Sequence, residues 1–196
     1  MTADANVELA GARLGDYVQC FDDALPRDFC AQMIASFDGL ARFQQRNGRG
    51  HRAGLDDSAW TELNVSRLAD AGFQGYFRAE IGKYLLRYNE RMRLTIPVPP
   101  SPLIEDLRIK RYSAGDGDRF EPHFDALGEA ARRYLVFLWY LNDVDEGGET
   151  EFVDLGLRVE ARCGRLVMFP PYWMFQHAGR APRSGDKYIV STYLTF

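Results

Sequence analysis

Tyr134-Leu135-Val136-Phe137-Leu138-Trp139-Tyr140-Leu141 is the longest apolar run of the chain, and Asn142-Asp143 and then Gly147-Gly148 follow it. A short apolar run closed by turn residues reads as a buried strand, because a buried helix segment would run longer. Around it, Leu107, Ile109 and Arg111 alternate with polar neighbours, and Thr150, Phe152, Leu166, Phe169, Ile189 and Tyr193 mark further short strands. Gly115, Gly117, Gly147-Gly148, Gly164 and Pro170-Pro171 punctuate them. Short strands broken by frequent turns predict a mainly β fold, a sandwich or barrel-like jelly roll with helices packed outside.

Upstream the texture is helical. Val18 to Phe21 reads as a short strand, and Pro26 suits the first turn of a helix, where its missing N–H costs nothing. Phe29, Met33, Phe37 and Leu40 recur at helical spacing. A longer helix is expected from about Phe73 to Met92, with Phe77, Ile81, Tyr84, Leu85 and Tyr88 on its apolar face. Asn47-Gly48 reads as a turn, and Pro97, Pro99, Pro100 and Pro102 close this half. The expected organisation is one domain over 1–196, with a mostly helical flanking part over 1–102 and a jelly-roll core over 103–196.

With 196 residues, 46% of them hydrophobic and 13% aromatic, the chain can bury one full core and is not a disordered polymer. A net charge of −4 gives no global electrostatic case for nucleic acid. Cys20, Cys30 and Cys163 are odd in number and lack CxxC spacing, which points away from a disulfide framework or zinc ribbon and toward reduced thiols in the cytoplasm. Met1 to Ala10 has neither a basic nor an apolar signal region, and Tyr134 to Leu141 is far too short to span a bilayer. Nothing in the composition decides an oligomeric state.

Chemistry is concentrated in His123-Phe124-Asp125 and in His177, which lies 54 residues beyond His123; these are two of only three histidines. Residues two apart on a strand share a face, so an HxD places an imidazole and a carboxylate side by side. Several antiparallel strands fit in the interval and return His177 to the same mouth. Two imidazoles and one carboxylate with open positions form the facial triad of non-haem Fe(II) oxygenases. An HxD by itself is common, and a strand-end His and Asp can simply pair with each other. His51 reads as a loop residue. The stretch Gln45 to Arg52, with Arg46, Arg49 and Arg52, reads either as a solvated loop or as a mobile basic lid, with Arg49 a candidate substrate contact.

The order Arg111-Tyr112, Gly115, His123-Phe124-Asp125, Arg133, Tyr140-Leu141-Asn142-Asp143, Gly147-Gly148-Glu149-Thr150-Glu151-Phe152, Val159, Gly164, Phe169, His177 and Lys187-Tyr188 resembles the prolyl-4-hydroxylase-like branch of the 2-oxoglutarate and Fe(II)-dependent dioxygenases. The resemblance is strong over Leu107 to Phe196 and loose over Tyr17 to Leu40. It implies a double-stranded β-helix core in which His123, Asp125 and His177 hold Fe(II), and Lys187 binds the far carboxylate of 2-oxoglutarate. Tyr112 would donate to that carboxylate, and Thr150 is a further candidate for the same pocket. Arg133, Tyr140 and Tyr193 are candidates for the substrate side. Read without the resemblance, Lys187 is a solvated charge, the tyrosines are half-buried strand residues, and Gly147-Gly148 is a tight turn.

What the resemblance implies is a hydroxylase of unactivated C–H bonds that uses O2, converts 2-oxoglutarate to succinate and CO2, and takes ascorbate as reductant in vitro. Asp125 favours hydroxylation over halogenation, since halogenating relatives carry a small residue there. The resemblance favours a prolyl residue over a free amino acid or other small metabolite. Val136, Ala161 and Tyr193 depart from frequent threonine, proline and tryptophan, which opens the substrate question. Two rival readings are a non-catalytic jelly-roll binding or sensing module, opposed by the intact triad with Lys187, and a cupin-like metal protein, opposed by HxD in place of a histidine pair.

Overall fold

The computed structural model describes residues 13–50, 56–101 and 103–196. In chain order the elements are β1 (Gln19–Phe21), α1 (Arg27–Gly39), β2 (Gln45–Gly48), β3 (Ala59–Asn64), α2 (Ala71–Met92), β4 (Arg108–Tyr112), β5 (Phe120–His123), β6 (Arg133–Tyr140), β7 (Thr150–Phe152), β8 (Leu157–Val159), β9 (Leu166–Phe169), β10 (His177–Gly179) and β11 (Lys187–Thr195). They build a seven-stranded sheet, ordered β1-β9-β6-β11-β4-β3-β2, and a four-stranded sheet, ordered β5-β10-β7-β8. Every strand pairing is antiparallel. The mainly β jelly-roll expectation holds.

The apolar run from Tyr134 lies in β6, and both of its faces are covered. Leu135, Phe137 and Trp139 join the core shared with α1 and α2, while Val136, Leu138 and Tyr140 join the core between the sheets. That double burial is why the run does not alternate. Its neighbour β11 is divided by face: Val190 and Leu194 belong to the helix-side core, whereas Ile189 and Tyr193 look into the sandwich.

Both helices form where their apolar spacing places them. Pro26 caps α1, and Cys30, Met33 and Phe37 are its buried stripe. Asp70 caps α2 by accepting a hydrogen bond from the Phe73 N–H at 2.8 Å, and the helix starts at Ala71, two residues upstream of the predicted start. From α2, Phe77 meets Trp139 edge-on at 5.4 Å between ring centroids, tying the helix to β6.

The flanking half is not purely helical. Gln45–Gly48 pairs with Ala59–Asn64, which in turn pairs with β4, so β2 and β3 extend the large sheet. Asn47-Gly48 is the end of a strand, with Gly48 at φ +85° as the chain leaves it. A Cβ on Gly48 would stand 1.9 Å from the Ser58 carbonyl oxygen, so only glycine fits there. Arg46 is consequently a structural residue: its guanidinium holds Asp118, whose side chain is fully buried, through two hydrogen bonds. His51 and Arg52 of the expected lid lie outside the described residues.

Candidate metal centre and its pocket

His177 of β10 stands directly opposite His123 of β5 in the smaller sheet, so strand register brings the two imidazoles together. β5 ends at His123, and Asp125 lies just beyond it in a turn rather than on the strand. The turn is pinned by the Asp125 and Ala126 N–H groups, both donating to the Pro171 carbonyl at 3.0 Å. Asp125 Oδ1 comes within 3.7 Å of His123 Nε2, and Oδ2 within 3.5 Å of His177 Nε2. All three ligand atoms lie within 4.8 Å of one another, the only such group of three among the described residues.

The inner contacts orient these ligands. His123 Nδ1 donates to the Glu121 carbonyl at 2.8 Å, and His177 Nδ1 to the Phe175 carbonyl at 3.1 Å. A carbonyl only accepts, so Nδ1 of each ring carries a proton and each Nε2 faces the cluster. Phe120 stacks on His123 at 3.6 Å between centroids, and Trp60 stacks on Phe120 at 4.6 Å. Phe169 meets His177 edge-on at 4.8 Å. Burial, reinforced by the neighbouring His177, lowers His123 to about 3, so it stands neutral and able to ligate. Burial alone would raise Asp125; His177, His123, Lys110 and Arg133 outweigh it and hold the carboxyl below its usual range. Tyr193 donates its hydroxyl to Asp125 Oδ1 at 3.2 Å. Two imidazoles and a carboxylate are a donor set that fits Fe(II).

A pocket opens from this cluster between the two sheets, and it is lined also by Lys110, Tyr112, Thr150, Lys187 and Tyr193. Lys187 starts β11 opposite Tyr112 of β4, and only 2% of it is exposed. Its ammonium donates to the Gly148 carbonyl at 3.0 Å and sits 4.4 Å from the centre of the Tyr112 ring. Among the described residues no carboxylate pairs with it, and burial lowers it to about 7, with Glu149 opposing and Lys110 adding to the shift. An ammonium buried without a counter-ion is expensive, and a carboxylate in the pocket would relieve the cost. Gly147 and Gly148, read from the sequence as a tight turn, both have φ near +73°, but Gly147 bridges to Pro182 and Gly148 supplies the carbonyl that accepts from Lys187.

The remaining predicted residues separate by position. Thr150 lines the pocket, while Tyr140 is fully buried behind it and donates to Thr150 Oγ1 at 2.6 Å. Tyr140 therefore orients Thr150 and does not face the pocket itself. Arg133 is held by Glu105 through two hydrogen bonds of 2.6 Å, and its guanidinium covers the Tyr193 ring at 3.7 Å. Its third contact is the Asp125 carbonyl at 3.2 Å, so it steadies the ligand turn from outside the pocket. Arg49, just past the end of β2, is exposed and is not among the pocket residues. Sequence reasoning passed over Lys110 and the Trp60–Phe120 stack. Lys110 carried a readable signal, its two-residue spacing from Tyr112, which places both on one face of β4.

Comparison with known proteins agrees with this geometry. The model of the 2OG-Fe(II) oxygenase superfamily matches residues 107–195. Probable prolyl 4-hydroxylase 11 of Arabidopsis thaliana is 34% identical over 100 residues, covering 46% of this chain and 34% of that protein. The chain thus spans about a third of that relative's length. Among solved structures, a Pseudomonas putida prolyl-4-hydroxylase superposes with a TM-score of 0.62 at 19% identity, covering 91% of this chain and 92% of that one. A prolyl hydroxylase of Trichoplax adhaerens, solved with a peptide fragment of the hypoxia inducible factor oxygen degradation domain, gives 0.69 at 13% identity, covering 92% and 84%. Over residues 107–195 the chain is thus similar to the 2OG-Fe(II) oxygenase superfamily, and the relatives it matches there are prolyl 4-hydroxylases.

Proposed function

We propose that this chain is a single dioxygenase domain that hydroxylates an unactivated C–H bond, with the carbon of a prolyl residue in a peptide as the leading target. The observation that carries the reading is one pocket holding both the His123, Asp125 and His177 cluster and the buried, carboxylate-free ammonium of Lys187. Fe(II) and 2-oxoglutarate, when bound, supply the oxidation: O2 is consumed, the co-substrate becomes succinate and CO2, and the target carbon gains a hydroxyl. Everything else falls to the chain.

His123, Asp125 and His177 would hold the metal. Lys187 binds the distal carboxylate of the co-substrate, and Tyr112 and Thr150 complete that end of the pocket. Phe120, Phe169 and Val136 keep water from the site. Tyr193 and Arg133 fix Asp125, from its side-chain oxygen and from its backbone carbonyl respectively. Asp125 would hold the metal where halogenating relatives carry a small residue, which favours hydroxylation over halogenation. Ascorbate would sustain the ferrous state in vitro. A cytoplasmic setting is supported by three cysteines that stand free, and no helix among the described residues is long and apolar enough to cross a membrane.

The test is succinate formation with Fe(II), 2-oxoglutarate and ascorbate in air, first alone and then with proline-containing peptides or free amino acids. Succinate that rises with a proline peptide, and a mass gain of one oxygen on that peptide, is the expected result. No succinate under any of these conditions would leave the binding-module reading in its place.

A further inference from the structure

Lys110 is the pocket group that the reading above leaves unused. It lies on β4 between Arg108 and Tyr112, opposite Ile189 of β11 and Glu62 of β3, and lines the same pocket as the metal cluster. Among the described residues it has no hydrogen-bond or ion-pair partner. The nearby carboxylate of Glu62 is already taken: Oε1 accepts from Arg108 at 2.8 Å and Oε2 from the Trp60 indole at 2.9 Å. Its closest aromatic contact is distant, with Nζ 5.9 Å from the Trp60 ring centre. Beside it in the pocket is Ser191, whose buried hydroxyl also lacks a partner. Two unanswered polar groups therefore face the space between the Lys187 end and the Tyr193 end of β11.

Charge identifies what is missing there. A divalent metal set against Asp125, and a dianionic co-substrate set against Lys187, would together balance one another. Lys110 then remains as one cation without a match in a pocket of low dielectric. Burial also lowers Lys110, with Glu62 and Asp125 opposing, so the side chain gains from an arriving anion. The co-substrate already has Lys187 and the metal for its two carboxylates.

We propose that Lys110, with the Ser191 hydroxyl, is a specificity-determining subsite that binds a carboxylate of the prime substrate close to the carbon that is hydroxylated. This rests on the oxygenase reading and narrows it: the substrate carries an acid, either the free carboxylate of an amino acid or an acidic side chain next to the target residue. A neutral, blocked proline segment is then a poor substrate.

The experiment is equilibrium binding by calorimetry under anaerobic conditions, with Mn(II) in place of Fe(II) and 2-oxoglutarate present, so that no turnover is needed. Four probes are compared: L-proline, L-prolinamide, and the blocked dipeptides N-acetyl-Pro-Glu-amide and N-acetyl-Pro-Gln-amide. One acid is expected to bind at least about tenfold tighter than its neutral partner, as for a charge-assisted bond. The pair that shows this tells a terminal from a side-chain carboxylate. Lys110→Met should bring that ratio to within about twofold, and Lys110→Arg should restore most of it. The Met variant keeps the apolar stem in the pocket, and the Arg variant controls for a folding defect.

Equal binding of acid and neutral forms, or no binding of any of the four, overturns the proposal. So does a Lys110→Met variant that keeps the ratio but loses about tenfold or more in 2-oxoglutarate affinity, because Lys110 would then serve the co-substrate. Acid-selective binding together with no succinate in air would sink the oxygenase reading and leave the carboxylate subsite standing.

Discussion

The two faces of the large sheet contain the same strands and do opposite work. Toward α1 and α2 they present Leu135, Phe137, Trp139, Val190 and Leu194, an apolar layer that the helices cover. Toward the small sheet the same β4 and β11 present Lys110, Tyr112, Lys187, Ser191 and Tyr193. On the first face, burial is favourable by about 25 cal/mol per Å² of apolar surface. On the second, burying an ammonium or a lone hydroxyl costs free energy. The contrast teaches that the helix face holds the polar face in place, since a sheet carrying buried cations needs a surplus of stability from elsewhere.

The strongest break of this comparison comes from the metal cluster. Asp125→Ala removes the one anionic ligand, and Fe(II)-dependent succinate formation should fall by about a hundredfold or more, because even partners of ligands are typically worth 10–100-fold. Metal affinity measured by calorimetry should fall with it. Normal turnover in this variant would remove Asp125 from the metal site.

On the opposite face, Phe77→Ala deletes the ring that α2 sets against Trp139 and should cost about 3–5 kcal/mol in urea unfolding. If the faces divide the labour as described, folded protein of this variant still binds metal like the parent. A loss of metal affinity in the folded variant would show the two faces to be coupled.

A smaller effect is expected at Lys187. Lys187→Ala should raise the 2-oxoglutarate concentration needed for half-maximal rate by about 10–100-fold, the range for losing a charge-assisted bond in a buried site. The ammonium is lowered from 10.5 to about 7 in the folded chain. Between these values the unfolded chain binds the extra proton, so the ligand-free protein should gain stability as pH rises from about 7 toward 10. Below about pH 7 both states are protonated and the group gives no slope. Binding of 2-oxoglutarate runs the other way and weakens above about pH 7 as the free ammonium is lost. Lys187→Met should flatten both profiles, and an unchanged slope would show that another group titrates.

The least disruptive change is Arg49→Ala. Arg49 is exposed and away from the pocket, so stability should shift by less than about 0.5 kcal/mol and substrate kinetics should stay the same. A clear change in substrate KM would return the basic segment to the role of a lid.

What the sequence disclosed follows the same division. β6, α1 and α2 were legible because their apolar residues fall at the spacing or run length that burial imposes. The metal cluster was legible through the sparse histidines and the ordered motif around them. β2 was not, because Gln45-Arg46-Asn47-Gly48 is polar throughout and lies at the sheet edge, held by pairing with β3 rather than by a buried face. Arg46 read as a basic loop residue because its partner Asp118 is 72 positions away. Tyr140 and Tyr193 both read as substrate contacts, yet one supports Thr150 and the other supports Asp125, a distinction set by where each hydroxyl points. Strand spacing gives the face of a side chain and not the atom at its tip.

The column of rings from Trp60 through Phe120 to His123 has a practical consequence. The indole of Trp60 is separated by one stacked ring from the imidazole of the candidate metal ligand His123, so Trp60 is an optical reporter built into the site. A paramagnetic ion arriving at His123 should quench its emission, and occupancy of the centre becomes readable from the protein's own fluorescence, with no added dye and no substrate.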